Sequence, residues 1–304
     1  MTARPTGSRR YPVDGVLLLD KPGGISSQTA VSRVKTLYNA AKAGHTGTLD
    51  PMATGLLPIA FGEATKFSSA LLEAGKGYRA TVRLGTTTTT GDLEGAVTAT
   101  RPVAVDRAQI DAVLGHFRGV VVQKPPMYSA LKHDGKPLYA YARAGQEIER
   151  DSRSVTIYTL DVEDYDAPDM KIVVQCSKGT YIRVLAEDIG KALGCGATLA
   201  SLRRTHVGRF VVADALTFDV LEQVTAAERT GHLLPVDAMV TELPAVQLDT
   251  AETARVGQGR AVERAVSATG GLVRLYGPDG VFLGIADAPG SGLLRPHRLV
   301  ATGR

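Results

Sequence analysis

The chain has only two cysteines, Cys176 and Cys195, and they form no Cys-x-x-Cys pair. That excludes a cysteine-built zinc site or a disulfide framework, and a reducing cytoplasm is the expected setting. No apolar run approaches the roughly 18 residues that a membrane-spanning helix needs. The start, MTARPTGSRRYP, lacks the apolar core of a signal peptide, so a soluble protein is expected. No Walker-type lysine follows the Gly44–Gly47 turn, and no His/Cys deaminase signature exists, which sets aside P-loop phosphate transfer and zinc deamination. Lysine itself disappears after Lys191.

What is present suits a globular protein with a substantial core. The 304 residues are 44% hydrophobic and 22% charged, enough for one large domain plus a small one. Thirty-three glycines cluster at turns rather than in a low-complexity tract. A net charge of +4 is compatible with a polyanionic partner but depends on where the charge lies. Residues 1–12 read as a short disordered basic arm carrying Arg4, Arg9 and Arg10.

The densest turn chemistry runs from Gly44 to Pro58, with Gly44, Gly47, Gly55, Pro51 and Pro58 around His45 and one carboxylate, Asp50. Pro51 fixes its own φ and pushes Asp50 out of the helical region, so Asp50 is expected on an extended or turn backbone. Alone, an Asp-Pro of this kind reads as a turn or a helix N-cap. Before it, Gly15–Leu19 reads as a buried strand, and Ser26 or Ser27 caps a helix through Ala30, Val31, Val34, Leu37 and Tyr38. After it come a helix through Thr65, Phe67, Leu71 and Leu72, and then a strand from Tyr78 to Leu84. Tyr78, Ala80, Val82 and Leu84 alternate with Arg79, Thr81 and Arg83, as a half-buried antiparallel strand requires. Thr86–Gly91 reads as a polar connection or edge strand, and Asp106 caps a helix through Ile110, Val113, Leu114 and Phe117.

Residues 124–153 differ in character. Lys124, Lys132, Lys136 and Arg143 alternate with Tyr128, Tyr139 and Tyr141, and proline and glycine interrupt repeatedly. The segment is either a solvated loop with a short helix or a basic-aromatic flap that closes on nucleic acid. Strands over Val155–Val162 and Lys171–Cys176 follow, then a helix through Leu185, Ala186, Ile189 and Leu193. Thr198–Phe210 holds Arg203, Arg204, His206 and Arg209 with no acid, a basic strand suited to phosphate contact. Phe218–Arg229 reads as a further amphipathic helix. Past Glu242 short strands and turns dominate, with a hairpin around Gly277–Gly280 and a last edge strand at Leu299–Val300, suggesting a small β-barrel.

Several stretches together resemble the TruB family of bacterial tRNA pseudouridine-55 synthases. They are GVLLLDKP (15–22), GHTGTLDP (44–51), GEATK (62–66), GTYIR (179–183) and LRR (202–204). The tail from about Leu243 is similar, more loosely, to a PUA domain. The resemblance implies an α+β fold with a mixed, largely antiparallel sheet flanked by helices. It divides the chain into a catalytic domain over 13–240, which includes the RNA-gripping insertion 124–153, and a PUA-like RNA-binding barrel over 241–304. It also implies a monomer that isomerises one uridine in the T-arm stem-loop of tRNA without cofactor or metal. Asp50 is then the nucleophile, captures or stabilises the electron-poor sugar or adds to the uracil ring, and has Arg183 beside it. Tyr78 stacks on the target base and assists its proton loss; His45 fills the space left by the flipped nucleotide. Tyr181, Leu202 and Lys21 belong to the substrate site, and Lys124, Lys132, Lys136, Arg143, Arg203 and Arg204 are candidate RNA-backbone contacts. Two other readings stand beside this one. A guide-RNA-dependent pseudouridylase shares the motifs but has no need of its own gripping insertion. A non-catalytic tRNA-binding or tRNA-folding protein needs the basic surfaces but not Asp50.

Overall fold

The computed structural model describes residues 10–264, 270–290 and 292–301. Positions 1–9 of the expected basic arm lie outside these. Tyr11 bridges to Ala40, so the described chain is paired almost from its start.

In chain order, strand β1 (Gly15–Lys21) leads into helix α1 (Ser27–Leu37), then β2 (Ala43–His45) and β3 (Thr54–Phe61). Ser26 caps α1 by accepting from the Thr29 N–H at 3.0 Å. The expected helix around Phe67 is a 3-10 turn, Gly62–Phe67, continued by α2 (Ser68–Glu73). Then come β4 (Lys76–Leu84), β5 (Thr86–Thr88), β6 (Val97–Thr100), α3 (Arg107–Gly115) and β7 (Gly119–Gln123). The threonine run thus contributes one strand of a two-stranded edge ribbon with β6. Residues 124–152 fold into a small ribbon, β8 (Lys132–His133) with β9 (Lys136–Pro137), and a short helix α4 (Leu138–Arg143). A long hairpin follows, β10 (Arg153–Asp166) and β11 (Asp169–Cys176), whose strands extend into the acidic stretch expected as a turn. Next are α5 (Ile182–Ala192), β12 (Ala197–Val207) and β13 (Phe210–Val211).

The helix expected over Phe218–Arg229 is two helices, α6 (Phe218–Gln223) and α7 (Ala226–Gly231). A Thr225/Glu228 capping box starts the second, so the chain breaks where Thr225 leaves helical geometry.

The large sheet has nine strands, ordered β1-β3-β12-β4-β11-β10-β7, with β2 on β3 and β13 on β12. Every pairing is antiparallel except β3 with β12, which meet at Arg203↔Thr54 and Arg204↔Gly55. One face buries Leu17, Leu19 and Ile59 against Val34 of α1, Ile110 of α3 and Ile189 of α5. On the other, Val16, Leu18 and Leu56 pack with Phe67, Met239 and Ile285. Burial on both faces explains why β1 is uniformly apolar rather than alternating.

The C-terminal part contains β14 (Ala245–Gln247), α8 (Thr250–Gly257), β15 (Val262–Glu263), β16 (Gly271–Tyr276), β17 (Phe282–Ala288) and β18 (Leu293–Leu299). These strands form a five-stranded curled sheet ordered β14-β16-β17-β18-β15. The last strand is therefore longer than the expected Leu299–Val300 and is interior, because β15 returns to cover its outer edge. Ile285 of this sheet shares the second core cluster, and Phe282 meets Phe67 edge-on at 5.3 Å between ring centroids.

Gly55 marks the tightest point of the parallel junction. Its φ is +100°, and a Cβ there would lie 2.3 Å from the Arg204 carbonyl oxygen. Gly55→Ala is expected to destabilise the fold by about 3 kcal/mol or more, read as a lower denaturant midpoint at unchanged slope. A loss under about 1 kcal/mol would show that the junction yields.

Candidate active site

The Asp50 loop is fixed from three sides before any ligand enters. Buried Ser27 accepts from the Leu49 N–H at 2.8 Å and donates to the Leu49 carbonyl at 3.0 Å. Lys21, 0% exposed, sends its ammonium to the carbonyls of Pro22, Ile25 and Pro51, the last at 3.3 Å. Arg204 donates to the carbonyls of Gly47, Thr48 and Leu56 at 3.2, 3.3 and 2.7 Å. The Ala53 N–H closes a turn on the Asp50 carbonyl. Asp50 therefore sits on turn backbone, as the Asp-Pro pair implies, with its side chain directed outward.

That side chain meets Arg183 from the first turn of α5, with Arg183 Nε 3.0 Å from Asp50 Oδ2. The guanidinium is 4% exposed, and its other two nitrogens are also bonded: Nη1 donates to the Thr90 carbonyl at 2.9 Å and Nη2 to the Tyr128 carbonyl at 2.5 Å. A second carboxylate, Asp92 Oδ2, lies 3.5 Å from Nε. Asp92 is buried at 7% and held by the Thr90 hydroxyl at 2.5 Å and the Glu94 N–H at 3.1 Å, whereas Asp50 is 35% exposed. A buried arginine is thus flanked by one carboxylate locked inside and one facing the cleft.

The cleft, about 350 Å³, is lined by Asp50, Tyr78, Tyr181, Arg183, Leu202 and Arg204, and by Ser129–Leu131 from the 124–153 segment. Asp50 is the only acid in its wall among the described residues. Tyr78 is buried in β4, and that burial raises its phenol pKa while Arg204 opposes the rise. Tyr181 caps the start of α5, and both its backbone groups are taken by Gln123: the Tyr181 N–H donates to Oε1 at 3.0 Å, and Nε2 donates to the Tyr181 carbonyl at 3.3 Å. The Arg153 guanidinium lies 5.1 Å from the Tyr181 ring centroid.

Most residues expected at the site therefore converge, and four do not sit as expected. Arg204 is 1% exposed and cannot contact an RNA backbone; it is a buried clamp on the Asp50 loop. Arg203 points the other way, onto Asp20 at 2.6 Å, so its charge is largely spent within the protein. Lys21 is sealed under the loop and offers a substrate nothing; burial, helped by the neighbouring Arg204 charge, brings its pKa down to about 8. His45 lies on β2 outside the cleft wall, accepting from the Gly47 N–H at 3.4 Å, with its pKa lowered by burial. Lys124, Lys132, Lys136 and Arg143 are all exposed, with Lys136 over the Tyr141 ring at 4.6 Å and Arg143 over Tyr139 at 5.4 Å.

Asp92, Thr90 and Gln123 were absent from the expected site. Asp92 follows a threonine run that reads as a connection, and a sharp positive-φ glycine before it, Gly91 (φ +75°), was the available signal. Among the described residues no group of three or more His, Cys, Asp or Glu side chains is placed to hold a metal ion. No helix there is long and apolar enough to cross a membrane.

This mixed sheet, with an arginine-held aspartate at the mouth of its cleft, is the architecture of a pseudouridine synthase. The archaeal box H/ACA sRNP Nop10–Cbf5 complex superposes with a TM-score of 0.71 at 26% identity, covering 95% of this chain and 86% of that one. A Cbf5–Nop10–Gar1 complex gives 0.70 at 30% identity over 90% and 78%.

The chain belongs to the TruB family of pseudouridylate synthases, whose N-terminal domain matches residues 35–182. Residues 183–241 match the tRNA pseudouridylate synthase B C-terminal domain, and 244–300 a pseudouridine synthase II TruB C-terminal domain. A tRNA pseudouridine synthase B from Burkholderia mallei is 55% identical over all of this chain and 99% of its own length. Another from an Azoarcus species is 57% identical over 96% and 97%.

Asp92→Asn keeps the shape and most hydrogen bonds but removes the inner charge, leaving Asp50 as the sole carboxylate partner of Arg183. Single-turnover pseudouridine formation is expected to fall about 100-fold while RNA affinity stays within about fivefold. Equal losses in both would assign Asp92 to folding alone.

Proposed function

We propose that this chain converts the uridine at position 55 in the TΨC loop of tRNA to pseudouridine, with Asp50 as the nucleophile. The observation that carries this reading is the asymmetry of the two carboxylates on Arg183. Asp92 adds a second, buried negative charge beside Arg183, while Asp50, the one acid in the cleft wall among the described residues, accepts the Nε hydrogen bond and keeps an exposed side toward the cleft. Relatives named tRNA pseudouridine synthase B, aligned over essentially the whole chain, support the tRNA substrate.

The chemistry requires a base taken out of its stack, because Asp50 cannot reach a stacked nucleotide. The glycosidic C1′–N1 bond breaks with its electron pair leaving on uracil. The Asp50 carboxylate compensates the electron-poor C1′, as carboxylates do in glycoside hydrolysis. The detached ring turns, C5 bonds to C1′ as the carboxylate withdraws, and C5 loses its proton while N1 gains one. Tyr78, Tyr181 and Leu202 form the apolar walls against which the ring turns, and the Tyr78 hydroxyl is placed to take part in proton loss. His45 supports the displaced nucleotides.

Residues 124–153 provide the grip. Lys124, Lys132, Lys136 and Arg143 face solvent, where backbone phosphates release counterions on binding. Ser129 to Leu131 of the same segment reach the cleft wall, which joins the grip to the reacting base. The C-terminal half-barrel, residues 241–304, adds a PUA-like surface for RNA. No guide RNA is needed, because the chain carries its own gripping segment, and the enzyme acts as a monomer in the cytoplasm.

Incubation of unmodified tRNA with the protein, followed by site-resolved pseudouridine mapping, is expected to show one modified uridine, in the T loop. Asp50→Asn is expected to abolish it with tRNA affinity changed by less than about fivefold; residual turnover at a tenth of wild type would remove the nucleophile assignment.

A bare T-arm stem-loop is expected to serve as substrate without added RNA or protein. Inactivity on it, with activity on a guided duplex, would favour the guide-dependent reading instead.

A further inference from the structure

Arg204 is the largest fully buried side chain among the described residues and, like the caged Lys21, a core cation whose hydrogen-bond partners are all neutral. Its guanidinium bonds to three carbonyls, and no described carboxylate lies within ion-pair distance of it. Arg203, the adjacent residue, has Asp20, and Arg183 across the cleft has two acids. Arg204 also stands directly opposite Tyr78 across the β12–β4 ladder, on the same sheet face, and both line the cleft beside Asp50. An uncompensated buried cation costs several kcal/mol, and three backbone carbonyls could be gathered more cheaply by neutral donors. The charge therefore has a use that hydrogen bonding alone does not explain.

We infer that Arg204 is an electrostatic positioning residue for the isomerisation, its positive charge stabilising the uracil ring while that ring carries the electron pair of the broken glycosidic bond. This inference rests on the reaction proposed above. When C1′–N1 breaks, the pair moves to N1 and spreads over O2 and O4; it returns when C5 bonds to C1′, C5 releases its proton and N1 takes one up. If Asp50 adds to the ring instead, negative charge again collects on the ring, so the requirement is the same by either route. A fixed charge in a water-poor wall needs no reorganisation when the ring charge appears. Asp50 does not cancel it, because Arg183 claims that carboxylate. The same positive field reaches the neighbouring Lys21, His45 and Lys76, each of which it makes harder to protonate.

The test compares T-arm stem-loops carrying uridine or 5-fluorouridine at the target position, under single turnover, with loss of the starting nucleoside as readout. Fluorine at C5 withdraws charge from the ring and so reduces the need for the protein's own positive field. Arg204→Met and Arg204→Gln are expected to slow uridine conversion about 100-fold and 5-fluorouridine conversion by less than about tenfold. Arg204→Lys keeps the charge and is expected to slow both alike, preserving the wild-type ratio. Equal slowing of both substrates by the neutral variants would reduce Arg204 to a loop clamp and overturn the inference. Should neither neutral variant fold, Arg204→Lys decides alone: an unchanged ratio supports the inference and a shifted ratio overturns it. A wild-type chain inert on both stem-loops overturns the parent reading and this one with it; an active wild type with equal losses overturns this one only.

Discussion

A buried guanidinium has to be neutralised, and the way Arg183 is neutralised sets the rest of the site. Bringing such a cation out of water costs several kcal/mol unless its charge and its N–H groups are met. One carboxylate on Nε would have met the charge but would have been consumed in doing so. Asp92 adds a second negative charge from inside, locked by Thr90 and the Glu94 N–H, while Nε donates to Asp50 and Nη1 and Nη2 each donate to a carbonyl. Asp50 is thereby oriented without being buried. The difference in exposure between two acids on one arginine leaves one locked inside and one facing the cleft.

The fold delivers these groups from distant parts of the chain, and the parallel contact of β3 with β12 is where they meet. It puts Gly55 against the Arg204 backbone, which fixes the exit of the Asp50 loop, while Ser27 fixes its entrance. On the far side, Gln123 ends β7 and Arg153 begins β10, paired across the ladder at the two ends of the 124–152 excursion. Gln123 holds both backbone groups of Tyr181, and Arg153 donates to the Gly179 carbonyl at 2.9 Å. The Tyr128 carbonyl, inside the excursion, holds Arg183. The segment with the exposed cations is therefore bonded directly to the groups that line the cleft.

Much of this was legible in residue patterns because local geometry dictated it. The alternation from Tyr78 to Leu84 marked a strand with one buried face, and Asp106 announced its helix as the N-cap. Asp134-Gly135 between Lys132–His133 and Lys136–Pro137 is the turn signal of the two-stranded ribbon found there, with φ of +49° and +78°. What stayed hidden depended on partners far away in sequence. Asp92 looks like any acid after a polar run until α5 brings Arg183 beside it. Gln123 has no signature at all, since its two bonds go to backbone atoms 58 residues away. The motif resemblance reached Asp50, Tyr78, Tyr181, Arg183 and Leu202, all of which line one cleft, but it gave no account of what holds them there.

The Arg203-Arg204 pair shows how periodicity could have corrected a composition argument. Four basic positions without an acid in thirteen residues suggest a surface for phosphates. Yet a strand turns successive side chains to opposite faces, so two adjacent arginines cannot share a surface. In a strand flanked by others on both sides, one of the two must enter the core or the cleft floor. Arg203 took the open face and found Asp20; Arg204 took the inner face and found only carbonyls and the Tyr78 ring opposite. Counting charge along the chain adds these residues together, whereas the pleat separates them by the thickness of the sheet. The cation that looked most available for RNA is the one that RNA cannot touch: it is spent on the carbonyls of the Asp50 loop.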